Sequence, residues 1–141
     1  MASEPAATPG ERLGLPAAGP GSLAGVGARL GAYVVDAILA NLLAGVPAVF
    51  GAGYDASLRG VVIYGIFLIE ELVLLSLTGQ TVGMRLLGLA VTRVPGGGRQ
   101  RFRFLLVRTL LLGLLIPVFL VDRDLRGLHD RAAGTAPVRT R

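Results

Sequence analysis

The chain has 141 residues and a mean hydropathy of +0.66, which is too apolar for an ordinary soluble domain of this size. It contains no Cys, so disulfides, thiolate metal sites and cysteine nucleophiles are all excluded. Its 14 basic residues are all Arg and its net charge is +5, but membrane proteins concentrate Arg in cytoplasmic loops beside anionic lipid, and no fold signature or aromatic pattern indicates nucleic acid.

The first part of the chain, residues 1–24, is predicted to be a disordered tail. It holds Pro, Gly, Ala and scattered charges, a composition that cannot bury enough apolar surface to order itself. It lacks the basic start and apolar core of a secretory signal. The remaining residues, 25–141, are predicted to form one membrane domain. The Ala, Gly, Pro and Arg content is typical of GC-rich coding and indicates a bacterium.

Two apolar stretches follow the tail and are each predicted to cross a bilayer as a helix. The first helix is expected over about residues 29–50, where Asp36 is the one charge in the apolar part. The second is expected over about residues 60–78, which contain Glu70 and Glu71. A crossing helix needs ~20 residues. Both stretches are long enough, and they are predicted to be antiparallel.

The region after the second helix changes character. Residues 84–89 are predicted to lie on the membrane surface as an amphipathic helical turn. Residues 89–94 are predicted to form a short strand, and the Pro and three Gly at 95–98 a loop. Residues 99–103 alternate polar and aromatic side chains and are interpreted as the returning strand.

A third apolar segment, residues 104–121, admits two interpretations. Its uncharged part has 13 residues, or about 20 Å of helix, whereas the hydrocarbon core is ~30 Å thick. If the segment crosses, 8 Arg lie on the cytoplasmic side and 6 outside; if it turns back as a re-entrant element, the division is 13 and 1. The positive-inside rule favours the re-entrant form, and the spanning form stays open.

The carboxyls inside the predicted helices are the candidate functional groups. Asp36 and Glu70 are expected at nearly equal depth, roughly 10 to 12 Å from the cytoplasmic end. Arg29 lies seven residues before Asp36 on the same helix face, with Tyr33 between them. A charge at that depth costs roughly 2.5 to 3.5 kcal/mol, so each carboxyl needs a partner or a wet cavity. Either these groups form a proton or cation site, or they hold the helices together, with Arg29 or Arg108 as counter-ion.

Other polar side chains are given structural interpretations. Glu71 points about 100° away from Glu70 on the helix, so it is expected to meet the third segment or Arg108. Asn41 is expected to hydrogen-bond between helices. His129 is the sole His, and a pH-sensing role is the less favoured interpretation. No residues have the spacing of a metal site, and no cofactor loop is apparent.

Three blocks of sequence resemble, in chain order, the motifs of the RDD family of small membrane proteins. They are A-R-L-G-A-Y-V-V-D-A-I-L-A (28–40), T-G-Q-T-V-G-M-R-L-L-G-L-A-V (78–91) and D-R-D-L-R-G-L-H-D-R-A-A-G-T-A-P-V (122–138). The resemblance implies Arg29, Asp36 and Asp130 as signature residues. It implies a fold and a membrane location more than an activity, although transport of ions or small ligands has been proposed for the family.

The sequence departs from the family pattern at three positions. Met84 stands where a Lys is frequent, and Ala90 where an Arg is frequent. Pro137 interrupts the final apolar strand, so residues 133–138 are not expected to pair along their full length with residues 89–94. Asp130 is expected to anchor this tail to the segment around Arg85, by accepting hydrogen bonds from Arg85, Arg126 or backbone amides.

Together these features predict an all-α membrane protein, with two transmembrane helices, a third shorter or re-entrant membrane helix and short β-like segments at the cytoplasmic interface. The candidate site residues are Arg29, Asp36, Glu70 and Asp130, without a metal, a cofactor or an enzyme's catalytic set. The expected function is transport of protons, cations or a small solute through a homo-oligomer in the bacterial plasma membrane. The alternative is a non-transporting scaffold or accessory subunit, whose Arg-rich loops bind anionic lipid or a protein partner.

Overall fold

The computed structural model describes residues 8, 10–98, 100–114 and 126–141. These residues are mostly helical and include one small sheet, after a 3-10 turn at Glu11–Leu13. The elements in chain order are α1 (Val26–Val49), α2 (Ala56–Thr78), α3 (Val82–Leu86), β1 (Leu89–Arg93), α4 (Phe102–Gly113), α5 (Leu128–Ala133) and β2 (Thr135–Arg139).

The two long helices, α1 and α2, are both long and apolar enough to cross a membrane. At 1.5 Å per residue they measure about 36 and 34 Å, against a hydrocarbon core of ~30 Å. Both begin a few residues before the predicted starts. For α2 the reason is a cap: the Asp55 carboxylate accepts a hydrogen bond from the backbone N–H of Leu58 at 2.8 Å, which satisfies an otherwise free donor of the first turn.

The helix pair is held by small residues inside and covered by large apolar residues outside. Ala32, Ala40 and Ala44 of α1 are buried at helical spacing, so the backbones can approach closely. Large side chains such as Leu42 and Ile69 are 67% and 65% exposed. A soluble monomer rarely exposes so extensive an apolar surface, whereas acyl chains would cover it without cost.

The small sheet pairs β1 with β2 in antiparallel register, from Leu89 opposite Arg139 to Arg93 opposite Thr135. The predicted strand at the position of β1 is confirmed. The predicted returning strand over residues 99–103 is wrong, because α4 begins at Phe102 and the partner of β1 is β2 instead. The Leu-rich sequence after Phe102 favours a helix. Because this helix already includes Phe102 and the residue after it, the alternating segment 99–103 does not form a strand beside β1.

Pro137 does not interrupt this sheet as expected. It lies opposite Val91, and its carbonyl accepts a hydrogen bond from the backbone N–H of Ala24 at 2.9 Å. The N and C=O of one strand residue point to the same side, so the missing donor of Pro137 faces residues 21–24 and not β1. The ladder between β1 and β2 therefore keeps its full length.

The end of the predicted tail is held on the outer edge of β2. The N–H of Gly21 donates to the carbonyl of Arg139 at 2.8 Å, and the N–H of Arg139 donates to the carbonyl of Ser22 at 2.9 Å. Leu23 forms a bridge with Val138. Residues 21–24, the end of the predicted tail, are thus hydrogen-bonded to β2. Residues 1–7 and 9 lie outside the described part of the chain.

The third predicted membrane segment is covered only in part. Helix α4 has 12 residues and packs against α2 and α5. At about 18 Å it is too short by itself for a hydrocarbon core of ~30 Å. The rest of the predicted segment, from residue 115 to 121, lies outside the described residues.

Candidate functional site

Arg108 on α4 lies at the meeting point of three helices and is fully buried. Its Nη1 is 3.0 Å from Oε2 of Glu71 on α2, and its Nε is 2.9 Å from Oδ1 of Asp130 on α5. Both carboxylates are also buried. Since a buried charge is tolerated only when it is paired, the guanidinium ties α2, α4 and α5 together through charge-assisted hydrogen bonds.

Aromatic and hydroxyl groups complete the surroundings of this ion pair. The Tyr33 hydroxyl on α1 is 3.5 Å from Nη2 of Arg108 and 3.2 Å from Nε2 of His129. The same His129 nitrogen is 3.3 Å from Oδ2 of Asp130, and the Thr135 hydroxyl donates to Oδ1 of Asp130 at 3.1 Å. We call Tyr33, Glu71, Arg108, His129 and Asp130 the buried charged cluster.

Asp130 is held ionised within this cluster. Burial by itself would raise the pKa of its carboxyl, but the Arg108 guanidinium and the neighbouring His129 lower that pKa well below the usual range. The paired positive charge outweighs the loss of water because it lies within hydrogen-bonding distance. Asp130 is therefore a permanent anion near neutral pH, as a structural partner of Arg108 should be.

Asp36 binds the start of the short helix α3. Its Oδ2 accepts a hydrogen bond from the Thr81 hydroxyl at 2.5 Å, and its Oδ1 accepts one from the backbone N–H of Gly83 at 2.6 Å. The Asp36 side chain is completely buried. Both oxygens are thus occupied by donors at the start of α3, which is a favourable place for a carboxylate.

Gly83 makes this contact possible. A Cβ at this position would stand 2.1 Å from the carbonyl oxygen of Ala32 on α1, far inside contact distance. Only a residue without a side chain lets α3 approach the α1 backbone closely enough for its amide to reach Asp36. The glycine-containing segment after α2 is therefore a docking element for α1.

Arg29 fixes the entry into α1. Its Nε and Nη2 donate to the carbonyl of Ala24, at 2.9 and 2.6 Å. Because Ala24 also donates to Pro137 of β2, the guanidinium connects the first turn of α1 with the edge of the sheet. Arg29 and Asp36 thus hold different elements against the same helix.

Glu70 differs from the other membrane carboxyls. Its side chain projects from α2 and is partly buried. Within the described part of the chain, neither of its carboxyl oxygens has a hydrogen-bond partner. Asp36 and Glu71 lie close enough to repel its charge. It is the carboxyl of this region that the packing does not explain.

The predicted site residues therefore separate into three places. Arg29 meets the Ala24 carbonyl, and Asp36 meets α3, so these two hold the ends of the docking contacts on α1. Asp130 meets Arg108, while Glu70 lies near Asp36 and Glu71 and has no hydrogen-bond partner among the described residues. The expected contact between Glu71 and Arg108 is confirmed, whereas Asp130 anchors α5 on α4 and not on the segment around Arg85.

Two other contacts bear on the sequence interpretation. The expected interhelical role of Asn41 is confirmed, since Arg59 of α2 donates to its Oδ1 at 3.2 Å. Sequence reasoning gives Arg108 as a counter-ion and as a partner of Glu71, but it does not pair Arg108 with Asp130. An Arg inside an apolar helix was the available signal, because such a charge must find buried acids.

The family comparison agrees with this architecture. The model of the RDD family matches residues 23–134, which run from the edge of the sheet through α5 and make up most of the chain. The chain belongs to the RDD family. The match includes Arg29, Asp36 and Asp130, the residues that the sequence resemblance singled out. No curated protein and no solved structure matches this RDD protein.

The RDD chain shows no candidate metal centre among its described residues. There, no three His, Asp or Glu side chains are grouped so that they could hold a metal ion. The acids of the charged cluster are instead directed at Arg108.

Proposed function

We propose that this RDD protein exchanges protons or monovalent cations across a bacterial plasma membrane, with Glu70 as the exchanging group. The observation that carries the proposal is the carboxyl of Glu70, which has no hydrogen-bond partner within the described residues although it belongs to an apolar helix. Asp36, which the sequence analysis paired with Glu70 in this role, holds α3 in place by hydrogen bonds. Its negative charge also acts on the carboxyl of Glu70.

The charge balance around Glu70 supports binding of a cation. Three carboxyls, those of Asp36, Glu70 and Glu71, act on one another electrostatically, and Arg108 is already shared between Glu71 and Asp130. A carboxyl in a membrane helix is expensive, so one without a structural partner is by default a functional group. Glu70 can accept a proton or a small cation without breaking any contact that holds the fold.

The proposed assembly is a homo-oligomer. A single copy leaves the outer faces of α1 and α2 apolar and only partly shields Glu70. A second copy packed against these helices would complete a path beside the carboxyl. By the positive-inside rule, the Arg-rich side that carries the sheet faces the cytoplasm, and both long helices cross the membrane.

Purified protein in proteoliposomes tests this role. With an internal pH dye and an imposed Na⁺ or K⁺ gradient, we expect wild type to move protons and Glu70→Gln to lose this flux, because the amide cannot exchange a proton. Glu11→Gln is the matched control, since it makes the same change at an exposed residue outside the two long helices. Flux that persists in Glu70→Gln, or its loss in Glu11→Gln, would contradict the assignment.

The second candidate function is that of a membrane scaffold or accessory subunit. It is favoured by Arg29 and Asp36, because Arg29 donates to the Ala24 carbonyl and Asp36 accepts hydrogen bonds from α3, which are contacts that hold the fold. In that case wild-type proteoliposomes would show no cation or proton movement above protein-free vesicles, and the chain would co-purify with a fixed membrane partner.

A further inference from the structure

An open pocket of about 480 Å³ lies where β1, the start of α4 and α5 meet. Four of its lining residues are arginines, Arg93, Arg101, Arg103 and Arg131, contributed by three different parts of the fold. We infer that this pocket binds the phosphate of an anionic phospholipid headgroup. The inference is independent of the ion exchange assigned to Glu70.

The charge of the pocket is one-sided. Among its described lining residues all the charged side chains are arginines. Guanidinium groups match phosphate oxygens in planar, two-pronged hydrogen bonds and are weakly hydrated, so several of them around one cavity form a good phosphate site. Arg93, Arg101 and Arg103 carry like charges toward one pocket, and an anion bound there would reduce their mutual repulsion.

The start of α4 makes the need for an anion stronger. This 12-residue helix has no acidic residue in its first turn, and its N-cap, Arg101, makes no side-chain capping hydrogen bond. Arg101 and Arg103 therefore place positive charge at the positive end of the helix dipole, which is unfavourable. A phosphate in the pocket would compensate both the dipole and the arginines.

The surface beside the pocket indicates that the phosphate belongs to a lipid. Phe104 lines the pocket, and the outer face of α4 continues from it with exposed apolar side chains. Phe102, Val107 and Leu110 are 58%, 43% and 59% exposed on this helix. A headgroup in the pocket would let its acyl chains lie along this face, whereas a free phosphate would leave the face uncovered.

Binding of lipid to the full-length protein tests the inference. We would reconstitute the chain in phosphatidylcholine nanodiscs and titrate phosphatidylglycerol, following retained lipid by native mass spectrometry. The pocket variant is Arg93→Gln with Arg101→Gln, and the control is Arg12→Gln with Arg139→Gln, which removes the same charge from exposed residues outside the pocket. Circular dichroism and gel filtration check that both fold.

We expect the pocket variant to bind phosphatidylglycerol roughly tenfold or more weakly, the change produced by one lost charge-assisted hydrogen bond, while the control remains close to wild type. Equal losses in both variants would show diffuse surface attraction and overturn the site. Inorganic phosphate provides the second arm. If it displaces phosphatidylglycerol at low millimolar concentration, or if phosphatidylcholine is retained as well as phosphatidylglycerol, the lipid assignment is wrong.

Discussion

At the scale of single residues, the molecule depends on how each buried charge is satisfied. Arg108 is shared by Glu71 and Asp130, at 3.0 and 2.9 Å, and all three side chains are buried. The pairing offsets the loss of hydration, but the removal of one partner would leave an uncompensated charge in a low dielectric. Removing one charged side chain of the buried charged cluster should therefore lower the stability of the fold by more than the loss of its hydrogen bonds alone.

Replacing Arg108 by Gln is predicted to be strongly destabilising. Two buried carboxylates would lose their cation, at a cost of about 3 to 5 kcal/mol. Thermal unfolding of the purified protein in detergent, followed by circular dichroism, measures the loss. Arg85→Gln is the matched control, because Arg85 is exposed on α3. If both variants unfold at the same temperature, the buried charged cluster does not stabilise the fold.

The pairing of Asp130 predicts a definite pH dependence. Because its pKa in the folded chain lies below the unfolded value of about 3.9, its stabilising contribution is complete above about pH 4 and decreases as the pH falls further. We expect the unfolding temperature of wild type to decrease below that pH more steeply than that of Asp130→Asn. Curves that stay parallel through this range would contradict an ionised Asp130.

At the scale of elements, the short helix α3 is held by contacts that come from α1. Asp36 accepts hydrogen bonds from Thr81 and Gly83, and the α3 backbone lies against the carbonyl of Ala32. A five-residue helix has almost no stability of its own, so its position is decided by these contacts. Through α3 the membrane helix α1 sets the position of β1 and of the sheet.

Gly83→Ala is predicted to displace α3. The added Cβ would meet the Ala32 carbonyl oxygen at 2.1 Å, so the two backbones must separate and the bonds to Asp36 must lengthen. Overpacking of this kind costs about 1 to 3 kcal/mol. Gly27→Ala on α1 is the control, because its Cβ would meet nothing within 4 Å.

Faster amide hydrogen exchange in α3 and β1 is expected for Gly83→Ala and not for Gly27→Ala. Unchanged protection in Gly83→Ala would show that α3 is not held by its contact with α1.

At the scale of the whole molecule, the sheet brings both ends of the described chain to one side. Residues 21–24 bond to β2, and β2 pairs with β1, which follows the end of α2 closely. The start of α1 and the C-terminal residue Arg141 therefore lie at the same end of the helix pair. The re-entrant interpretation of the third segment stays a prediction, and under it Arg59 is the one Arg on the far side.

Single-Cys labelling is predicted to place the two ends of the helix pair on opposite faces of the membrane. Native Cys is absent, so the background is clean. In intact cells a membrane-impermeant maleimide should label Gly53→Cys in the loop between α1 and α2, and label Thr140→Cys only after permeabilisation. Labelling of Thr140→Cys in intact cells would support a spanning third segment and contradict this topology.

Features that depend on composition and on spacing along the chain can be predicted without the folded structure. The apolar stretches predicted α1 and α2, the glycine-rich loop and β-branched residues predicted β1, and three motifs predicted the RDD family. These features are local, because hydrophobic periodicity and turn residues act over a few positions. The predicted starts of α1 and α2 lie three and four residues too late. For α2 the Asp55 cap accounts for the earlier start, whereas α1 begins after Gly25 without a side-chain cap.

Helix geometry offers Arg108 as a partner for Glu71, but the sharing of Arg108 with Asp130 follows only from the folded chain. Arg108 and Asp130 are 22 residues apart and Arg108 and Glu71 are 37 apart, so no local pattern records that all three form one buried site. The pairing of β1 with β2 in place of residues 99–103 is equally non-local. The pairing of these charges follows from the packing of α2, α4 and α5. An unpaired charge costs free energy only once it is buried, and these side chains become buried only when the helices pack together.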